Sequence, residues 1–272
     1  MSDAPLQPKP GIGKGVLHPK ASVGQFEHAR FVPSPALEPS LAHYWTVAWD
    51  RTGLEPFVQE TLPYPTVHAV LERGRSAVTF PMRGRFRRVL EGRGRVLGAK
   101  FRPGMFVPRD RRDLAAYVGQ RLPFAEVFGL TAQQMAALED DVFDAADPRE
   151  MARRYDAFLL AQQQPPDPEA VRVRAIVEAI EAESGLVRVA DVAERDGVTP
   201  RVLQRWFRRY VGLPPKWVLR RYRLHEVAEA LARGEPASTL AARLGFADQA
   251  HMIRDFRAVV GETPVSYARI NR

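Results

Sequence analysis

The sequence predicts an α+β protein with two domains, the first β-rich and the second all-α. Short segments rich in aromatic and β-branched residues follow one another from residue 43 to residue 101. Beyond residue 113 the apolar residues recur at helical spacing instead. The length of 272 residues also indicates more than one domain, because a single domain most often holds about 100–150 residues.

Two proline-rich segments mark the expected domain boundaries. Residues 1–41 hold seven prolines, which exclude long helices, and the GIGKG run at 11–15 lacks the ending of a phosphate-binding loop. The polar sequence QQQPPD at 162–167 indicates a linker. We therefore expect four parts, which are an N-terminal lead at 1–41, a β-rich domain at 42–162, a linker at 163–168 and an all-α domain at 169–272.

The β-rich domain is predicted to be a small antiparallel β-barrel with a helical end. Strands are predicted at 43–49, 57–61, 67–71, 77–80, 86–90 and 95–101. Short strands at a spacing of about 8–12 residues are typical of antiparallel sandwiches and barrels. A further short strand is predicted at 105–107, and helices are predicted at 113–118, 124–128, 131–139 and 148–160.

The most informative segment of the second domain is residues 199–223, which hold eight basic residues and no acidic one. Thr199 suits a helix N-cap, and Pro200 suits the first helical position. The apolar side of the predicted helix carries Val202, Leu203, Trp206, Phe207 and Tyr210. The opposite side carries Arg201, Gln204, Arg205 and Arg208. Such a face suits a DNA major groove, where Arg pairs with guanine and Gln with adenine, although a solvated helix face has the same composition.

This segment belongs to a pattern that occurs twice. Residues 187–197 predict a short helix and a turn at Gly197, so that with the next helix they form a helix-turn-helix. In a second unit, helices at 240–244 and 249–260 flank a turn at Gly245, and a long helix at about 215–233 joins the two units. Leu203 and Met252 are equivalent core positions, 252 − 203 = 49 residues apart. The outward residues of the last helix are Gln249, Ala250, His251 and Arg254.

From about residue 176 to residue 270 the sequence resembles the DNA-binding domain of AraC/XylS-type transcription regulators. The resemblance implies two recognition helices in successive major grooves of one DNA face, held apart by the linker helix. It rests on residues of both units and of the helix between them, namely Leu203, Arg205, Phe207, Gly212, Pro214, Arg223, Ala230, Leu231, Leu240, Ala241, Leu244, Gly245, Phe246, Asp248, Arg254, Phe256, Gly261, Thr263, Pro264 and Tyr267.

The resemblance also implies which residues read bases. These are Arg201, Gln204 and Arg205 in the first unit, and Gln249, Ala250, His251 and Arg254 in the second. Candidates for phosphate contact are Thr199, Arg208, Arg209, Lys216, Arg220 and Arg221, with solvation or pairing inside the domain as the alternative. The sequence departs from the family pattern at Met252, where Phe is frequent, and at Asp255, an acid in the second recognition helix. Because Ala250 and Ile253 add few polar groups, this helix is expected to discriminate bases less.

A β-rich domain in front of such a DNA-binding domain is also similar to this family, in which a cupin-like barrel usually binds an effector or a partner subunit. Four motifs resemble a little-studied sensor domain that is fused to such regulators, namely Trp45-Thr46-Val47, Leu62-Pro63, Val96-Leu97-Gly98 and Phe101-Arg102-Pro103-Gly104. Aromatic residues commonly line ligand pockets. Candidates for an effector pocket are therefore Trp45, Trp49, Phe57, Phe80 and Phe101, with ordinary core packing as the alternative for each.

One stretch of the β-rich domain is strongly basic. Residues 73–112 hold thirteen basic residues and two acidic ones, Glu91 and Asp110. Three interpretations are open. The stretch is a solvated face balanced by the acidic residues at 139–156, or it contacts DNA phosphates, which position a protein without reading sequence, or it binds an anionic effector.

The composition excludes several classes of function. The chain has no cysteine, which rules out disulfides, thiolate zinc sites and a cysteine nucleophile. The histidines of the β-rich part form no His-x-His pair, and we predict no metal site, no cofactor and no catalytic residue. No apolar run of about 18 residues predicts a membrane span, and no signal peptide is recognised, so a cytoplasmic, nucleoid-associated protein is expected.

The formal net charge of +8 suits a polyanionic partner. We therefore predict a sequence-specific transcription regulator that binds double-stranded DNA. Further candidate partners are a small-molecule effector, RNA polymerase and a second copy of the chain as a homodimer. Two alternatives stay open, which are a cupin-like enzyme or metal-binding protein, and a non-specific architectural DNA binder whose affinity depends steeply on salt.

Overall fold

The computed structural model describes residues 6–9, 15–165, 167–183 and 185–271, and it confirms the predicted two-domain α+β architecture. Most of the GIGKG run lies outside the described residues. The strands of the β-rich domain are β1 (Glu27–Phe31), β2 (Leu41–Arg51), β3 (Phe57–Thr61), β4 (His68–Leu71), β5 (Ala77–Thr79), β6 (Phe86–Leu90), β7 (Gly92–Phe101) and β8 (Arg121–Pro123). A 3₁₀ turn at Leu114–Tyr117 precedes β8, and three helices follow it, α1 (Phe124–Phe128), α2 (Ala132–Phe143) and α3 (Pro148–Ala161).

The strands are divided between two antiparallel sheets. Six of them follow the order β1-β2-β7-β4-β5-β8, and β3 pairs with β6 in a separate two-stranded sheet. Among the described strands no hydrogen-bonded ladder closes a barrel, since β1 and β8 stand at the two edges of the larger sheet. At its centre Trp45 lies opposite Gly98 and Trp49 opposite Gly94. Each indole covers its glycine so closely that a Cβ would not fit there.

The six main strand predictions correspond to β2 through β7, whereas β1 falls within the segment predicted to be an irregular lead. Its sequence EHARF has one apolar residue of any size, so its polar composition hid an edge strand that pairs with β2. The described residues 105–107 form no strand. The main core of this domain lies between the larger sheet and α1 to α3, with Tyr44, Leu97 and Tyr155 all fully buried.

The C-terminal domain is all-α. Its helices are α4 (Pro168–Ala182), α5 (Val189–Arg195), α6 (Pro200–Trp206), α7 (Pro215–Ala232), α8 (Ala237–Arg243), α9 (Gln249–Val260) and α10 (Pro264–Asn271), and a π-helical turn at Phe207–Val211 prolongs α6. The Thr199 hydroxyl accepts a hydrogen bond from the Val202 amide at 3.3 Å. Asp248 caps α9 by accepting one from the His251 amide at 2.6 Å. Both helix-turn-helix units are therefore present, as α5–α6 and α8–α9.

Helix α7 belongs to the cores of both units. Val218, Leu219 and Tyr222 pack with α4, α5 and α6, whereas the later residues of α7 pack with α8, α9 and α10. Because one rigid helix carries both cores, it fixes how far apart the two units stand. The linker helix predicted from the sequence thus has the predicted place, and most of its surface is buried.

The β-rich domain contacts the two units at equivalent positions. Gly212 ends the first recognition helix and Gly261 the second, both with a left-handed backbone, and they are 261 − 212 = 49 residues apart, like Leu203 and Met252. Gly212 packs against Leu114 and Val118, and Gly261 packs against the guanidinium of Arg85. The ends of both recognition helices are therefore fixed against one domain.

Further contacts join the β-rich domain to the C-terminal domain. The ring of Tyr64 stacks on His225 of α7, with ring centroids 4.0 Å apart. Leu17 is buried in the core of the second unit, and its amide donates to the Glu60 carbonyl of β3 at 3.0 Å. The neighbouring His18 lies 3.0 Å from Glu262. Part of the predicted lead thus joins the two domains.

The close contact at Gly212 predicts an unequal response to alanine. At Gly212 an added Cβ would lie 2.9 Å from Val118 Cγ2, whereas at Gly234, which is also left-handed, nothing lies within 4 Å. Gly234→Ala should therefore cost only the backbone strain of about 1–2 kcal/mol. Gly212→Ala should cost about 1–3 kcal/mol more because of overpacking. Urea unfolding of the full chain measures both, and equal losses would contradict a tight interface at Gly212.

Candidate nucleic-acid interface

The outward face of α6 is exposed as the sequence predicts. Arg201, Gln204 and Arg205 are exposed, while Leu203 and Trp206 on the opposite side are 0% and 4% exposed. The exposed stripe continues at Arg208 in the π-helical turn. An Arg- and Gln-bearing face with a buried apolar back has the shape and the donors that a major groove requires.

The second recognition helix, α9, presents a less polar face. Gln249, Ala250 and Arg254 are exposed, and Met252 and Phe256 on the inner side are fully buried. His251 is half-buried, with its ring edge against Phe246 at a centroid distance of 5.7 Å. Its Nε2 lies 3.4 Å from the Asp255 carboxylate. The polar groups that face outward from α9 are therefore chiefly those of Gln249 and Arg254, with Arg257 one turn further along the helix.

Asp255 does not face outward with these residues. Its side chain is 14% exposed and lies 2.8 Å from Arg220 of α7, whose Nη2 donates a hydrogen bond to it at 2.8 Å. The acid in the second recognition helix thus fastens α9 to α7 and does not oppose a polyanion at the outward face. The same contact holds Arg220, one of the candidates for phosphate contact, within the domain.

The phosphate contact predicted for Arg221 is wrong. Arg221 is 2% exposed, its guanidinium lies over the Trp217 ring at 4.4 Å, and it donates to the main-chain carbonyl of Arg83. Burial lowers the pKa of Arg221 to about 10. The periodicity of α7 could not reveal this, because the β-rich domain covers that side of the helix. Lys216, Arg208 and Arg209 are exposed and keep their candidate role.

Three carboxylates face the arginines of the first unit. Arg208 lies 3.0 Å from Asp113 of the β-rich domain. Arg209 lies 3.8 Å from Asp167. Arg205 lies 3.7 Å from Glu169. The Tyr210 hydroxyl donates to Asp167 at 2.6 Å. This hydrogen bond lowers the pKa of Asp167, so the acid stays ionised. Each of these carboxylates thus pairs with an arginine that the sequence analysis assigned to DNA contact.

The five aromatic residues predicted for an effector pocket do not lie together. Trp45, Trp49 and Phe57 form a small cluster with Leu90 and Val96. Phe80 and Phe101 pack instead in the main core, where both contact Phe106. Phe101 also borders a cavity of about 100 Å³ beside the linker, together with Gln162, Gln163, Gln164 and Asp167. The other four aromatic residues do not line this cavity.

His68 of β4 is occupied by neutral partners. Trp45 Nε1 donates to its Nδ1 at 3.3 Å, and its Nε2 lies 3.2 Å from the Thr66 hydroxyl. Within the described ranges, no group of three or more His, Cys, Asp or Glu side chains is arranged to hold a metal ion.

The basic stretch at 73–112 divides into paired and unpaired arginines. Arg73 pairs with Asp140 and Asp144 of α2, as expected for a face balanced by the acidic stretch. Other arginines pair with Asp50, Glu72, Asp110 and Glu178. In the part of the chain that the structure describes, no ion pair is found for Arg75, Arg83, Arg87 or Arg111.

Two parts of the chain match known protein families. Residues 192–270 match a helix-turn-helix domain. The C-terminal domain is of the AraC type. Residues 29–123 match a domain of unknown function, DUF6597. The matches support a role in DNA binding and transcription regulation. The N-terminal match begins at residue 29, within β1, a strand that the sequence prediction placed outside the β-rich domain.

Solved structures show more limited likenesses. The C-terminal domain of AraT, a response regulator from Geobacillus stearothermophilus, is 27% identical over 38% of this chain and 85% of that chain, with a TM-score of 0.34. An apo ToxT variant from Vibrio cholerae is 11% identical over 97% of this chain and 100% of that chain, with a TM-score of 0.40. No curated protein matches the chain significantly. No helix in the described ranges is long and apolar enough to cross a membrane.

The Asp113–Arg208 contact predicts that removing the acid strengthens DNA binding. Asp113→Asn frees Arg208 for phosphate and should tighten binding to a random duplex by about 2- to 5-fold, since exposed ion pairs contribute about 0–1 kcal/mol. Asp50→Asn is the matched control, because it removes the same charge from an exposed pair with Arg93 elsewhere. Fluorescence anisotropy of labelled duplex measures both variants. Equal tightening by the two would show a net-charge effect only.

Proposed function

We propose that the protein is a sequence-specific AraC-type regulator that reads two successive major grooves with α6 and α9. The observation that supports this best is the pair of equivalent helices, each with a buried apolar back and an exposed face that carries hydrogen-bond donors. In this proposal Arg201, Gln204 and Arg205 read bases in one groove. Gln249 and Arg254 read the next groove, assisted by His251, and Ala250 offers an apolar contact for a thymine methyl group.

The dimensions of the first helix support this role. From Arg201 to Arg208 the exposed stripe spans seven residues, about 10 Å along the axis, against a major groove about 12 Å wide. Residues at the start of the stripe would reach base edges, and those at its end would reach the phosphates at the rim. Arg208, Arg209 and Lys216 therefore serve as phosphate contacts, while Thr199 acts mainly as the helix cap.

The proposal assigns control to the β-rich domain. The cavity beside Phe101 borders linker residues Gln162 to Gln164 and Asp167, so a small effector bound there would touch the segment that joins the domains. Assembly as a homodimer, contact with RNA polymerase and a cytoplasmic, nucleoid-associated location belong to the same proposal. No catalytic role is assigned to any residue.

The two alternatives make different predictions. An architectural DNA binder would bind all duplexes alike, with steep salt dependence and no preferred sequence. An enzyme or metal-binding protein would purify with stoichiometric metal or would turn over a small molecule. The exposed Gln204 and Gln249 favour base reading over architectural binding, because glutamine adds no charge for phosphates but pairs bidentately with adenine.

Selection from random duplex DNA with the full chain tests the proposal. At about 0.15 M salt, where the Debye length is about 8 Å, we expect an enriched motif of two blocks about one helical turn apart. A single enriched block would show that only one unit reads sequence. Failure to enrich any motif, with or without candidate effectors, would contradict sequence-specific binding.

Substitution of Arg205 separates base reading from simple charge. Arg205→Ala should weaken binding to the selected motif by about 1–3 kcal/mol and relax the preference at one base position. Arg209→Ala, the control, removes an equal charge from a candidate phosphate contact and should weaken binding to selected and random duplexes alike. Equal losses on both duplexes for Arg205→Ala would remove it from the base-reading set.

A further inference from the structure

An arginine-rich turn of the β-rich domain lies against the second helix-turn-helix unit. This arginine turn comprises residues 83–87, with the sequence RGRFR, and all five residues are exposed. It leads into β6. The buried guanidinium of Arg221 holds its main chain by donating to the Arg83 carbonyl. The turn is therefore fixed on α7 through its backbone, so the side chains of Arg83 and Arg87 are not needed to hold it there.

The arginine turn stands at the end of the outward face of α9. The Arg85 guanidinium packs on Gly261, where an added Cβ would lie 2.8 Å from it. Gly261 follows Arg257 and Arg254 at helical spacing, so it continues the exposed stripe of that helix. From Arg254 to Gly261 the stripe spans seven residues, or about 10 Å. If Arg254 reaches base edges in a groove about 12 Å wide, the arginine turn stands at the phosphate rim.

The acids around this place already have basic partners. Glu60 lies 3.2 Å from Arg85, Asp255 lies 2.8 Å from Arg220, and Glu262 lies 3.0 Å from His18. By contrast, the described residues provide no ion pair for Arg83, Arg87, Arg254 or Arg257, all four of which are exposed. Exposed arginines without ion pairs on two elements that touch at Gly261 make a basic surface, and a polyanion is the partner that such a surface attracts.

We propose that the arginine turn is a DNA-backbone contact, through which the β-rich domain binds phosphates beside the groove that α9 reads. The inference rests on the proposed DNA-binding function and extends it to a domain to which no function is assigned. It also accounts for the weaker polar face of α9. Ala250 and Ile253 contribute little base discrimination there, so phosphate contacts from Arg83 and Arg87 supply affinity that base contacts do not.

The test compares the salt dependence of duplex binding by full-length variants. The probe is a random duplex of about 30 base pairs, titrated between about 0.05 and 0.2 M salt. The test variant is Arg83→Gln with Arg87→Gln. The matched control is Arg75→Gln with Arg149→Gln, two exposed arginines elsewhere on the β-rich domain. Arg83→Lys with Arg87→Lys keeps the charge, and urea midpoints verify that every variant folds.

Each phosphate contact contributes about 0.9 to the slope of log K against log salt, which corresponds to roughly 5-fold in affinity at about 0.15 M salt. The glutamine double variant should therefore lower the slope by about 1.8 and weaken binding by roughly 30-fold. The control should keep the wild-type slope, and the lysine variant should restore most of it.

Three results would overturn the inference. An unchanged slope for the glutamine variant, with wild-type binding intact, would reject the arginine turn as a contact and leave the proposed function standing. An equal loss in the control would reduce the effect to net charge. If the wild-type protein binds neither random nor selected duplex, the proposed function fails and this inference fails with it.

Discussion

The burial of α7 is the constraint on which the positions of both recognition helices depend. Its first half packs with the first unit and its second half with the second. On a third side Arg221 and His225 meet Arg83 and Tyr64 of the β-rich domain. A buried guanidinium is costly unless its donors find acceptors. The contact with the Arg83 carbonyl therefore ties the placement of the β-rich domain to the helix that spaces the two units.

The β-rich domain also touches the ends of both recognition helices. Gly212 and Gly261 each allow a left-handed helix end, which suits glycine, and each receives a group from that domain. A change in the β-rich domain can thus alter both helices at once, without a separate signal path to each. The Asp113–Arg208 pair adds an electrostatic link at the first helix. These contacts place the domain of unknown function directly beside the surface that is proposed to face DNA.

Local sequence patterns predicted much of this structure, whereas most of the features that were not predicted depend on contacts between residues far apart in the sequence. The faces of α6 and α9 follow from helical periodicity, so the exposure of Arg205 and Arg254 and the burial of Leu203 and Met252 were predictable. Arg221 was assigned wrongly because its partner, Arg83, lies 138 residues away in the sequence. β1 escaped prediction because its side chains are mostly polar. From the sequence, Asp255 is an acid in a helix that is expected to face DNA. The fold pairs it with Arg220, which lies 35 residues away in the sequence.

The most direct test of this account is a distance measurement between the two helix-turn-helix units. Because the chain has no cysteine, Glu194→Cys in α5 with Ala242→Cys in α8 would carry spin labels at only two positions, both exposed and both outside the faces proposed to read bases. If α7 and the β-rich domain fix both units, pulsed electron paramagnetic resonance should give one narrow distance distribution, unchanged when duplex DNA is added. A broad distribution that narrows only with DNA would show two loosely linked units and would contradict the account.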